Sequence, residues 1–187
     1  MATATMPTGE NPYVVREGKA EIHFKSKSDA FYNPVQEFNR DMRFVGVGRA
    51  NCIHCQTVMT RLVHIHFSIA AIRQFLRRYN AEVEERADKI TLLEALSASG
   101  LRSIRYAKEI PGLTEIVAND FSRKAVESIE RNVSANGVSD IVRASHADAS
   151  ALMYSRRKAG ERFTIVDLDP YGSAAPFLDA AVQVRLN

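Results

Sequence analysis

The chain has 187 residues, enough for one domain with a substantial core or for part of a larger one. Its 45% hydrophobic and 25% charged residues are those of an ordinary soluble globular protein, and no stretch approaches a transmembrane run. A formal charge of +3 and a pI of about 8.9 permit a phosphate-rich partner without requiring one, while two cysteines with no visible secretory signal argue against a disulfide scaffold.

Residues 1–18 are small, polar and twice interrupted by proline, and read as a loose lead-in whose first 11 residues show no targeting pattern. Val14, Ile22 and Phe24 suit a short N-terminal hairpin. In F-Y-N-P-V-Q-E-F-N-R-D, Asn33 can cap a helix with Pro34 at its first position, where a missing N–H costs nothing. Val35 and Phe38 then share a face, and Asn39, Arg40 and Asp41 crowd one end. Residues 42–67 have no clear period and hold Cys52-Ile53-His54-Cys55 and His64-Ile65-His66. The two histidines are closer than zinc-finger spacing, so no metal site is expected.

From Ser68, Ile69, Ile72, Phe75, Leu76, Tyr79 and Val83 recur at helical steps, with Arg73, Arg77 and Arg78 elsewhere on the wheel, most simply as a solvated face. After a charged connection over 82–89 the chain alternates. Thr91 to Leu96 is a buried strand, Ser97-Ala98-Ser99-Gly100 a small-residue loop, and Leu101 to Ile110 a helix stopped by Pro111-Gly112. Glu115 to Ala118 is a second strand ending in Asn119-Asp120; Ser122 can cap the next helix, and Asn136-Gly137 marks the turn after it. Ile141 to Ala144 leads to His146-Ala147-Asp148, and Phe163 to Leu168 is a fourth strand. Pro170 cannot extend a central ladder, so that strand stops at Asp169-Pro170-Tyr171-Gly172. Strands spaced by helices predict an α/β fold with a parallel, Rossmann-like sheet.

Glu94, Gly100, Asp120, Asp148 and Asp169 all fall at or near strand ends on one predicted sheet edge, where open α/β sheets bind ligands. The loop at Gly100 lets a cofactor approach the backbone and a helix N-terminus, but has one glycine where a pyrophosphate-binding loop has three. A ligand such as S-adenosylmethionine needs less phosphate cradling. Asp120, 20 residues after Gly100, suits an acceptor for both ribose hydroxyls, and Asp148 an acceptor for an adenine amino group. Singly, each aspartate is as readily a helix cap or a solvated loop residue. Asp169 with Pro170 and Tyr171 is either a proline turn or a carboxylate, a rigid carbonyl and a ring at a ligand-binding edge.

These segments together resemble the tRNA guanine-26 N2-dimethyltransferases, in F-Y-N-P-V-Q-E-F-N-R-D, E-A-L-S-A-S-G-L-R-S-I-R-Y-A, V-A-N-D, A-D-A and D-L-D-P-Y-G-S, over Glu17 to Asp41 and Ser68 to about Gln183. The resemblance implies a class I methyltransferase sheet, S-adenosylmethionine as cofactor and tRNA as partner. It implies cofactor contacts from Arg40, Arg102, Asp120, Asp148 and Ala149, and Asp169 holding the N2 amine of the target guanine framed by Pro170 and Tyr171. A nuclear or mitochondrial setting is implied by the likeness alone, and no protein partner can be inferred.

Two departures qualify it. Residues 42–67 intervene, as an atypical insertion, between the N-terminal extension with its motif helix (1–41) and the N-terminal part of a methyltransferase domain (68–187). Four of the usual seven strands are visible before Asn187, so an incomplete catalytic half that keeps the site residues but has impaired turnover is expected. A non-catalytic fragment that binds cofactor or a partner, and a nicotinamide-dependent oxidoreductase on the same fold, are the alternatives. The single-glycine loop and D-P-Y-G weigh against the latter.

Overall fold

The computed structural model describes residues 13–26, 32, 37, 62–65, 69, 72, 73, 76 and 89–184. A hairpin of β1 (Val14–Glu17) and β2 (Ala20–His23) precedes β3 (Leu62–Ile65). Then follow β4 (Thr91–Glu94), α1 (Leu101–Glu109), β5 (Glu115–Asp120), α2 (Arg123–Ala135), β6 (Val142–His146), α3 (Ala149–Ser155), β7 (Ile165–Leu168) and α4 (Ala175–Gln183). The five strands β3-β7-β4-β5-β6, in that order, form one parallel sheet.

Alternation along each strand explains the continuous apolar runs. Leu92, Ile116 and Ile165 point to one face, beneath Ile104 of α1 and Ile129 of α2, together with Ile22 and Phe24 of the hairpin. Leu93, Val117 and Val166 point to the other, against Met153 of α3 and Ala180 and Ala181 of α4. Most of these side chains are fully buried, and each contributes about 1.5–3 kcal/mol relative to exposure. Ile69, Ile72, Arg73 and Leu76 are helical; the three apolar residues join the first face, as their period predicts.

The hairpin docks on α1 and α2 through polar contacts that its own sequence does not announce. Its turn is Gly18-Lys19, with Gly18 at φ +54. A Cβ there would push aside the ends of the Glu109 and Arg105 side chains and would sit on a backbone conformation that favours glycine. On the outer side of β2, Asn136 Oδ1 accepts from Glu21 N at 2.9 Å and Asn132 Oδ1 from His23 N at 2.9 Å. Two helix-borne amides thus satisfy an edge that another strand would otherwise cover.

Three expectations are revised. The sheet has a fifth strand, because β3 pairs with β7 inside the segment read as aperiodic. A four-residue edge strand is too short to impose a period that a sequence scan can detect. Arg73, although exposed, is more than a solvated charge: its Nε and Nη2 donate to the carbonyl of Glu109 at 2.9 and 2.6 Å, capping the C-terminus of α1. Ser122 is the N-cap of α2, but its side chain makes no capping bond; its N–H instead donates to Asp120 Oδ1 at 2.8 Å.

Candidate active site

The chain passes from β4 outward through β5 to β6, then returns to the opposite side of β4 as β7. The strand order therefore reverses between β4 and β7, and at such a switch point the loops leaving the two carboxyl ends diverge and open a crevice. One of those loops is Ser97–Gly100 and the other is Asp169-Pro170-Tyr171. All strands being parallel, Glu94, Asp120, Asp148 and Asp169 lie at the same rim.

The loop after β4 is held from several sides. Ser97 N donates to the Asn119 carbonyl at 2.8 Å, and Ala98 N to Asp120 Oδ2 at 2.9 Å. Ala98 sits at φ +50, the left-handed region that a residue with a Cβ avoids, and Gly100 follows at φ +81. These bonds hold the turn in that conformation, a local cost of order 1–3 kcal/mol at the mouth of the crevice. Fully buried Asn119 donates from Nδ2 to the carbonyls of Ala95 and Ala147, both at 3.0 Å, lacing the ends of three neighbouring strands.

Glu94 supports this loop from below. It is buried, and its Oε2 accepts from Ser97 Oγ at 2.5 Å and from the N and Oγ of Ser103 at 3.0 and 2.5 Å. Burial raises its pKa to about 7 despite the opposing charge of Arg102; Asp167 adds to the rise.

Arg102, on the first turn of α1, spans the crevice. Its Nη1 pairs with Asp169 Oδ2, and its Nη2 lies 2.9 and 2.8 Å from the two oxygens of Asp167. Nε donates to Tyr106 Oη at 3.2 Å, and that hydroxyl donates to Asp167 Oδ2 at 2.7 Å. Burial works against the guanidinium charge, yet Asp167 and its neighbours keep the Arg102 pKa well above its ordinary value; burial likewise pushes Tyr106 well up. In this arrangement Arg102 faces the carboxylates of β7 and the residue after it, tying the glycine-loop helix to D-P-Y-G. Asp169 itself remains partly open, its side chain 31% exposed, while Asp167 is fully buried.

Asp148 caps α3, its Oδ1 accepting from Ala151 N at 2.8 Å, and Ala149 is the buried first residue of that helix. Tyr171 is 79% exposed; partial burial and, after it, the charge of Asp169 raise its pKa. Arg40, Cys52, Cys55, His54 and His66 lie outside the described residues, among which no cluster of three potential metal ligands occurs. Asp167 and Tyr106 were not singled out from sequence. Their signals, an acid inside an apolar strand and a tyrosine four residues after an arginine on a helix, have meaning only once the two elements meet.

This architecture is that of a Rossmann-like, class I S-adenosylmethionine-dependent methyltransferase. The family model for N2,N2-dimethylguanosine tRNA methyltransferase matches residues 10–186, and the chain belongs to that family. It is 42% identical over 209 residues to the tRNA (guanine(26)-N(2))-dimethyltransferase of Mus musculus, covering 95% of this chain and 30% of the relative. It is 39% identical to the mitochondrial tRNA (guanine(26)-N(2))-dimethyltransferase of Saccharomyces cerevisiae, covering 91% and 32%. The solved structure of Trm1 from Pyrococcus horikoshii with S-adenosyl-L-methionine superposes with a TM-score of 0.62 at 29% identity, over 90% of this chain and 38% of that one. The chain thus spans about a third of the length of the curated relatives it matches. No helix among the described residues is long and apolar enough to cross a membrane.

Proposed function

We propose that this chain carries the methyl-transfer centre of a tRNA guanine-26 N2-methyltransferase, using S-adenosylmethionine and acting first to the monomethyl and then to the dimethyl product. The observation that carries the reading is the Arg102 bridge, which brings the loop after β4 and Asp169 to one crevice at the switch point. The names of the relatives support the substrate, and the mitochondrial name of the yeast relative supports a mitochondrial setting, the nucleus being the alternative that the family resemblance implies.

The residues present fit the cofactor. Each oxygen of Asp120 spends one acceptor position on a backbone N–H, Ala98 or Ser122, and keeps capacity for a diol. Asp148 uses Oδ1 alone for its cap. A rim carrying Asp120, Asp148 and Asp169 suits a cationic sulfonium better than a pyrophosphate, and the loop has one glycine, Gly100, where a dinucleotide loop has three. Gly100, Asp120, Asp148 and Ala149 would hold the cofactor, with Glu94 bracing the loop and Arg102 anchoring it to β7; Arg40 would close the site from the N-terminal motif. When bound, S-adenosylmethionine supplies an electrophilic methyl group.

The chain's own task is to prepare the amine. An arylamine lone pair is delocalised into the ring, so N2 is a weak nucleophile. The Asp169 carboxylate and the Pro170 carbonyl accept its two hydrogens, which favours a geometry that directs the lone pair out of the ring plane. Asp169 takes the released proton or passes it to water. The exposed Tyr171 ring offers a stacking surface for a base drawn out of the tRNA helix.

Calorimetric titration with S-adenosylhomocysteine and with NAD tests the class: binding of the first is expected, and binding of NAD alone would overturn the reading. Methyl transfer to a guanine-26 transcript, compared with a chain extended to the relatives' full length, tests completeness. A higher rate from the longer chain is expected, and equal rates would refute an incomplete catalytic half.

A further inference from the structure

A second cleft, of about 410 Å³, lies beside the Ala98–Ser99 turn, between the end of β2 and one flank of α2. Lys25, Lys124 and Arg131 line it, with Ser99, Ser128 and one acid, Glu127. Glu127 has its own cation, Arg123, at 3.9 Å. The two lysines are exposed and have no ion-pair partner among the described residues.

Arg131 is fixed rather than mobile: its Nη2 donates to the His23 carbonyl at 3.2 Å and to Ser128 Oγ at 3.0 Å. Its Nε is buried with no hydrogen-bond partner among the described residues, an arrangement that costs about 1–3 kcal/mol unless an acceptor arrives. The walls are preformed as well. Asn132 joins them, accepting from His23 N and donating to the Ser99 carbonyl at 2.9 Å each.

Three cations around a space larger than a single phosphate match the sugar-phosphate backbone of a nucleic acid. We propose that this cleft grips a phosphodiester of the substrate RNA. The proposal rests on the methyltransferase reading, since the strand held here is the one that presents the target base; a protein that draws a base out of a helix must hold the flanking backbone while it does so.

The test is fluorescence anisotropy of a labelled tRNA transcript with the whole chain between 50 and 200 mM KCl, using Lys25→Gln/Lys124→Gln and, as a charge-matched control at the opposite end of the strands, Lys89→Gln/Lys158→Gln. With about 0.7–0.9 counterions released per phosphate, the cleft variant is expected to lower the slope of log K against log salt by about 1.5 and to weaken binding about tenfold at 100 mM, leaving S-adenosylhomocysteine affinity unchanged. A wild-type slope in the cleft variant, an equal loss in the control, absence of salt-dependent RNA binding by the wild type, or loss of S-adenosylhomocysteine affinity in the cleft variant would each overturn it. Cleft-dependent RNA binding without any S-adenosylhomocysteine binding would leave the cleft standing and sink the methyltransferase reading alone.

Discussion

Helix α1 carries two buried arginines three residues apart, and they serve opposite ends of the molecule. Arg105 turns toward the hairpin, pairing with Glu17 at 2.7 Å and with Glu109, one helical turn on, at 2.9 Å. Arg102 turns toward β7, where Asp167 is fully buried and Asp169 partly open. Both clamps are charged and largely dehydrated, yet only one ends on a carboxylate that a substrate can reach. A buried ion pair by itself is weak evidence of function; what separates the two is whether a partner keeps an open side.

Asp169→Asn is the sharpest test of that distinction. It keeps the size of the side chain but removes its charge, and methyl transfer is expected to fall about 10³-fold with S-adenosylhomocysteine affinity within about twofold of wild type. A comparable loss of affinity, read by calorimetry, would make Asp169 part of the cofactor site instead.

At the other clamp, Arg105→Ala removes the cation paired with buried Glu17 and with Glu109. Urea unfolding is expected to show about 3–5 kcal/mol of lost stability, with cofactor affinity of the folded protein preserved. A loss below about 1 kcal/mol would mean that apolar contacts alone dock the hairpin.

Between the clamps sits Glu94, whose pKa moves from 4.5 to about 7 on folding. The folded chain then holds a proton that the unfolded chain releases. This contribution is complete below about pH 4.5 and is lost as pH rises toward 7, about 3 kcal/mol across the window. Glu94→Gln, which retains an acceptor for Ser97 and Ser103, is expected to remove that slope from stability measured between pH 5 and 8. An unchanged slope would assign it to another group.

The smallest effect concerns the exposed ring beside Asp169. Tyr171→Ala is expected to cost about 1–3 kcal/mol of RNA affinity through lost stacking, and Tyr171→Phe almost none. If Tyr171→Phe were as damaging, the hydroxyl and not the ring face would be the functional part.

Much of this was legible before any coordinates. Pro170 ends its ladder where the D-P step requires, and β4, β5 and β7 appear as apolar runs because both faces of each of these central strands are buried; β6, at the edge, shows only the Ile141-Val142 pair and the turn before it. A short hairpin carrying Val14 and Ile22, and the positions of Gly100, Asp120 and Asp148 at strand ends, also follow from local pattern, whereas the turn at Gly18 falls inside what reads as a loose lead-in. The unread parts are those without a local signal. β3 is four residues long; Arg73 looks like any exposed charge until the end of α1 is beside it; and α3, seven residues capped by Asp148, is too short to show a helical period.

By itself, the sequence determined the central elements and the rim, because hydrophobic period, proline and glycine act over a few residues and the parallel order places every strand end on one side. Only the tertiary structure decided which charges meet. Arg102 and Asp167 are separated by 65 residues and Arg105 and Glu17 by 88. A charged side chain in a sequence is neutral evidence between solvent and burial; its partner is chosen by packing, and with that choice comes the difference between a brace and a site.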